Sequence, residues 1–249
     1  MPKSYGKAFG FMPTLGRPQL VEEVLRMWEL QTYPDCDLLV YDTANQMPEV
    51  QGPNWRIVHQ GECPWSMGTT CNTGIRMSDA PYVLRIDDDD QVFPWHVEAI
   101  VDALQDHQWA CPLKVWDWQY GNKPLMFRPY NRDTRDIAYA GTWAFRREAF
   151  EAVGGYREDC FREEECEFRT RLHDRFGPPG DSTAGRFPDP SYAYALNYDR
   201  VPHYGQMTDE QRREHQRRPW PKWETITPRW PRNYLLGYPL NPKLHPRRF

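Results

Sequence analysis

Four consecutive aspartates, Asp87-Asp88-Asp89-Asp90, follow the apolar run Tyr82–Ile86. Two carboxylates about 4 Å apart repel by several kcal/mol at an effective dielectric near 20. A divalent cation relieves that repulsion, and hard oxygen ligands suit Mg²⁺ or Mn²⁺. If strand geometry persists through the run, Asp87 and Asp89 point one way and Asp88 and Asp90 the other. Asp87-x-Asp89 is then a D-x-D unit, in which one member holds a ribose or sugar hydroxyl and the other a metal ion. A calcium loop would need a D-x-D-x-D-G pattern, which is absent here. Taken alone, the run also suits a solvated acidic turn. A second acidic cluster, Glu163-Glu164-Glu165-x-Glu167, contains carboxylates able to act as a general base. By itself it equally suits a first helical turn, where acids complement the helix dipole.

The elements around these clusters have a regular order. Residues 8–13 read as a strand ending in a turn. Gly16-Arg17-Pro18 opens a helix with Pro near its first position, and Leu20, Val21, Val24, Leu25 and Trp28 form its apolar face. Residues 38–41 and 54–59 read as strands, 69–77 as a helix, 82–86 as a strand apart from Arg85, and 94–104 as a helix with Val97, Ile100, Val101 and Leu104 on one face. Residues 109–115 read as one strand, and 146–153 and 163–175 as helices. The alternation predicts an α/β fold with a mostly parallel open sheet and helices on both faces. The carboxyl end of the 82–86 strand then faces the ligand crevice of the sheet. From residue 177 onward Pro and Gly are frequent and loops dominate, with a polar helix expected over 208–218.

The chain of 249 residues carries a net charge of −4. Residues 210–249 hold ten Lys/Arg against three acids, a net +7, leaving −11 over residues 1–209. An acidic body fits cation binding, and a basic tail fits an anionic partner. The tail also carries Trp220, Trp223, Trp230, Tyr234 and Tyr238. Aromatic stacking plus cations is how single-stranded nucleic acid is held, although such charge also suits a plain solvated face. No stretch of about eighteen apolar residues is present, which excludes a helical membrane span. Residues 1–8 lack the pattern of a secretory leader. The six cysteines show no C-x-x-C spacing. We therefore expect a cytoplasmic chain with reduced thiols.

At this point the chain resembles the family-two glycosyltransferases, whose fold is the Rossmann-like GT-A. The resemblance covers residues 8–175. It rests on Pro13-Thr14 with Arg17-Pro18, Gln31-Thr32-Tyr33-Pro34, the run Leu38-Leu39-Val40-Tyr41-Asp42, Asn72-x-Gly74 and the acidic run itself. Downstream it rests on Arg146-Arg147-Glu148-x-Phe150, Gly154-Gly155-Tyr156-x-Glu158, and Glu164-Glu165-x-Glu167 with Arg171-Leu172. Three departures stand out. Thr43 follows Asp42 where a second aspartate is frequent, Cys71 stands where an arginine is common, and Glu165 stands where an aspartate is usual.

The resemblance implies a metal-dependent, inverting transfer of a sugar from a nucleoside-diphosphate sugar, UDP-linked as first choice, to an acceptor hydroxyl. It implies Glu165 as base with Glu164 as acceptor binder or alternate base. It implies Thr14, Asp42, Asn72, Asp87 and Asp88 at the nucleotide sugar, and Asp89, Asp87 and His203 at Mn²⁺ or Mg²⁺. Gly141, Thr142 and Trp143 would line the acceptor side. Residues 1–207 would form the catalytic domain, with a nucleotide-sugar half to about 120 and an acceptor half over 121–207. Residues 208–249 would be a basic, Trp- and Pro-rich extension. The acceptor is a saccharide, a small molecule or, given the tail, a hydroxylated base in DNA. Two alternatives stand beside it. One is a related α/β nucleotidyltransferase, although residues 12–18 make a poor triphosphate loop. The other is a non-catalytic module binding nucleotide sugar or nucleic acid.

Overall fold

The computed structural model describes residues 5–15, 17–45, 47–61, 66–119, 126–129, 143–160, 164–184, 186 and 191–196. The first strand, β1 (Ala8–Thr14), is buried along its whole length, as a central strand covered on both faces must be. It pairs in parallel with β2 (Cys36–Asp42) on one side and β4 (Tyr82–Arg85) on the other, and β3 (Trp55–His59) adds in parallel beyond β2. The strand β9 (Ala144–Arg146) inserts antiparallel between β4 and β6 (Trp109–Cys111), and β10 (Gly180–Asp181) closes that edge. The seven-stranded order is β10-β6-β9-β4-β1-β2-β3. The direction of winding reverses between β1 and β4, the place where open α/β sheets bind ligands.

Among the described residues, an apolar core lies on each face of the sheet. The helices α1 (Pro18–Glu29) and α3 (His96–Ala103) bury Val21, Val24, Trp28, Val97 and Ile100 against Met12, Leu38 and Leu84. On the other face, α2 (Met67–Arg76), α4 (Arg147–Ala152) and α5 (Glu164–Phe176) bury Ile75, Phe150, Phe168 and Leu172 against Phe9, Phe11, Leu39 and Val83. Helices on both faces were expected and are observed. The missing side chain at Gly74 lets α2 come close to β1: a Cβ there would lie 2.0 Å from the Phe11 ring.

Differences from expectation have local causes. The helix expected over 69–77 starts at Met67, because Ser66 caps it by accepting from the Thr69 N–H at 3.0 Å. The single strand expected over 109–115 is two strands, β6 and β7 (Lys114–Gln119), separated at Pro112 and lying in different sheets. The second sheet has the order β5-β11-β7-β8, built from β5 (Gln91–Val92), β11 (Tyr192–Leu196), β7 and β8 (Met126–Pro129). Thus β10 and β11 are strands in the stretch expected to be loop. The expected helix over 208–218 and the basic tail lie outside the described residues.

Candidate active site

The carboxyl ends of β1, β2 and β4 place Thr14, Asp42 and Arg85 along one edge of the sheet, with Thr14 and Asp42 directly in register. Strand geometry ends at Arg85, and the acidic run turns instead of continuing. The expected two-way alternation of the aspartates is therefore not realised. Each aspartate finds its own partner. Asp88 is buried, accepts from the Thr14 hydroxyl at 2.5 Å and from Arg17 Nε at 2.9 Å, and pairs with the Arg17 guanidinium through its other oxygen. Asp89 accepts from Arg17 Nη1 at 3.0 Å. Asp87 accepts from Arg85 Nη2 at 2.9 Å. Asp90 accepts from the buried Tyr192 hydroxyl, which ties the run to β11.

Facing this run is the first turn of α5, which carries Glu164, Glu165 and Glu167. Arg85 reaches across: its Nη2 lies 3.6 Å from Glu165 Oε1, while its Nη1 donates to Cys71 Sγ at 3.1 Å. The Glu165 side chain keeps 31% of its surface. Burial pushes its carboxyl up to about 7, Asp87 and Glu164 add to the rise, and Arg85 opposes it. A carboxylate poised near neutrality is suited to general base work. Glu167 has a different task. It pairs with Arg171 at 2.7 Å, and Arg171 also donates to the Gly155 carbonyl at 2.7 Å, which fastens α5 to the turn after α4.

Several residues expected at the ligand are spent on the scaffold. Both Asp42 oxygens accept backbone N–H groups of the following turn, Ala44 at 3.0 Å and Met47 at 2.8 Å, and the residue is fully buried. The Asn72 amide donates to the Tyr156 carbonyl at 2.8 Å and to Glu158 at 3.0 Å, and accepts from the Tyr156 N–H at 2.8 Å. With both its donors used, a buried Asn72 holds α2 to the 155–158 turn instead of presenting an amide to a donor. Gly155, at φ +73°, passes so close that a Cβ would sit 2.7 Å from Asn72 Oδ1. Thr14 and Asp88 are bound to each other and buried. Among the described residues Trp143 is buried beside Cys111 and Leu113, with the Arg169 guanidinium 5.6 Å from its ring centroid. Gly141, Thr142 and His203 lie outside the described residues. Arg17 and Arg85 join the site without a ligand role in the motifs above. The signal for Arg85 was a lone charge within an apolar strand next to the acidic run.

Residues 11–154 match the sequence model of glycosyl transferase family 2, more than half of the chain. The chain belongs to that family. Family 2 membership displaces the nucleotidyltransferase alternative. No curated protein matches the chain. Among solved structures it is similar to residues 1–349 of TarS from S. aureus in complex with UDP, with a TM-score of 0.57, 13% identity, and coverage of 76% of this chain and 60% of that one. The same region of TarS with UDP-GlcNAc gives a TM-score of 0.60 at 12% identity, covering 81% of this chain and 61% of that one. The mannosyltransferase PcManGT from Pyrobaculum calidifontis, in complex with GDP-Man and Mn²⁺, gives 0.59 at 18% identity, covering 80% of this chain and 59% of that one. At these identities the likeness shows the fold, which is GT-A. The family 2 chain spans about 60% of the length of these three structures.

Among the described residues, no group of three or more His, Cys, Asp and Glu side chains is arranged as a complete metal cage. Asp87 and Asp89 are partly open, and each has one carboxylate oxygen that takes no hydrogen bond among the described residues. Two hard oxygen donors on one edge fit a Mg²⁺ or Mn²⁺ ion that takes its remaining ligands from a diphosphate. Asp88, with both oxygens engaged, does not. No helix among the described residues is long and apolar enough to cross a membrane.

Proposed function

We propose that this family 2 chain transfers a sugar from a nucleoside-diphosphate sugar to an acceptor hydroxyl, with Glu165 as the base and Asp87 and Asp89 as ligands of a divalent cation. The observation that carries the reading is the approach of Glu165 to the acidic run, bridged by Arg85 at 3.6 Å and 2.9 Å. Glu165 takes the proton of the acceptor hydroxyl as that oxygen attacks the anomeric carbon. A direct displacement of this kind inverts the anomeric centre. Glu164, the first residue of α5, holds the acceptor or serves as the alternate base. When bound, a Mg²⁺ or Mn²⁺ ion supplies positive charge against the leaving diphosphate. Thr14, Asp42, Asn72 and Asp88 act behind this surface by fixing the loops that shape the donor crevice.

The donor reading draws support from similar folds solved with UDP, UDP-GlcNAc and GDP-Man, and the metal reading from the one solved with Mn²⁺. A uridine nucleotide is the first donor to test. Residues 1–120 form the donor half and 121–207 the acceptor half, with His203 as a further metal ligand and Gly141 and Thr142 on the acceptor side. Residues 208–249 are a separate basic extension. The acceptor is a saccharide or small-molecule hydroxyl. A hydroxylated DNA base is carried only by the tail's composition, and salt-dependent binding of single-stranded DNA by the full chain tests it separately.

Calorimetric titration with UDP-, GDP-, TDP- and CMP-sugars, in Mn²⁺ and in chelator, tests the reading. Mn²⁺-dependent binding of one donor, lost in Asp89→Ala, is expected. No binding of any donor overturns it, and undiminished biological activity of Asp89→Ala favours a non-catalytic binding module.

A further inference from the structure

Arg85 sits within β4, between the buried Leu84 and Ile86, and its side chain is 7% exposed. Its position in the register, opposite Phe11, is one where a leucine would pack against the apolar face formed with α2 and α5. Burying a guanidinium there is costly unless anions meet it. The anions come from two different elements. Asp87 follows the strand itself and lies at 2.9 Å, and Glu165 comes from α5 at 3.6 Å. Cys71 of α2 accepts the third contact at 3.1 Å, and Nε has no hydrogen-bond partner among the described residues. Both acids are more open than the cation, at 25% and 31% against 7%, so the guanidinium lies beneath them. The planar fork of arginine can hold two carboxylates at fixed positions, which a lysine ammonium does less well.

We propose that Arg85 is a positioning residue that holds Glu165 of α5 and Asp87 of the acidic run in one array. The role rests on the reading of Glu165 as base. Among the described residues, the titratable and charged groups facing Glu165 are Arg85, Asp87, Glu164, Cys71 and Tyr156. Without Arg85, the charged groups left around Glu165 among the described residues are the like charges Asp87 and Glu164, and the Arg85 link between α5 and the acidic run is gone.

The test is a double-mutant cycle on the full chain, read by urea denaturation at pH 8 in wild type, Arg85→Met, Glu165→Gln and the double variant. The midpoint should fall about twice as far, or more, on Arg85→Met in the wild-type background as in the Glu165→Gln background. Equal losses overturn the proposal. If Arg85→Met does not fold, the cycle is run with Arg85→Lys, for which a smaller coupling of the same sign is expected and equal losses again overturn it. In UDP-GlcNAc and GDP-mannose turnover, Arg85→Lys should lower kcat about tenfold with KM within about twofold. The acid limb of the kcat/KM profile should move to higher pH in Arg85→Met, which a merely structural role would not produce. Coupling in stability together with undiminished turnover in Glu165→Gln overturns the base assignment. Additive stabilities with an inactive Glu165→Gln overturn the positioning role and leave the base assignment standing.

Discussion

Arg17 Nη1 lies 3.0 Å from Asp89 Oδ2, so the cation that opens α1 is held by the aspartate proposed to bind metal. The same guanidinium grips the buried Asp88, so one arginine balances two adjacent carboxylates at the β1–β4 crevice. Breaking such a pair leaves uncompensated buried charge at a cost of about 3–5 kcal/mol. Arg17→Ala should therefore melt well below wild type in chelator. Added Mn²⁺ should recover part of the loss, because a divalent cation supplies the missing charge. Thermal melts with EDTA and with Mn²⁺ read both effects, and an unchanged melting temperature in EDTA would refute the account of the pair.

Glu165 gives a signed pH dependence of stability. Its carboxyl is raised from the ordinary 4.5 to about 7, so between these values the folded chain holds a proton that the unfolded chain has released. Stability from this group is full below about pH 4.5 and declines as pH rises to about 7. Glu165→Gln, which cannot ionise, should melt above wild type at pH 8 and close to it at pH 4. The opposite order at pH 8 would show that the ionised carboxylate is the favoured form in the fold.

Asn72 separates scaffold from ligand contact. Its three hydrogen bonds join α2 to the 155–158 turn, and losing them should cost about 2–3 kcal/mol at roughly 1 kcal/mol each. Asn72→Ala should be less stable in urea while the folded protein binds nucleotide sugar with unchanged affinity. A variant of wild-type stability with weakened donor binding would return Asn72 to the ligand.

Much of this architecture was legible in the residues. The apolar faces of α1 and α3 were readable at helical spacing, and Val97, Ile100 and Trp28 are all buried where that spacing put them. Arg85 brings one residue of each acidic cluster together, Glu165 at 3.6 Å and Asp87 at 2.9 Å. What the sequence hid was pairing at a distance. Thr14 and Asp88 are 74 residues apart and Asn72 and Tyr156 are 84 apart, and each satisfies the other in the interior. The motif residues Thr14, Asp42, Asn72 and Asp88 make scaffold hydrogen bonds that their local spacing does not announce. The strand break at Pro112 had a local cue, whereas β9, β10 and β11 are short and exist because neighbouring strands complete them.

The central claim is that Glu165 is the base, and the pH–rate profile of nucleoside-diphosphate release tests it most directly, in wild type, Glu165→Gln and Glu164→Gln with Mn²⁺ and a saturating nucleotide sugar. The account predicts a wild-type rate that rises with pH through about 7. It predicts a Glu165→Gln rate lower by about 10²–10⁴-fold and flat across that range, with Glu164→Gln keeping the wild-type profile. A Glu165→Gln variant with the wild-type rate and profile would contradict it.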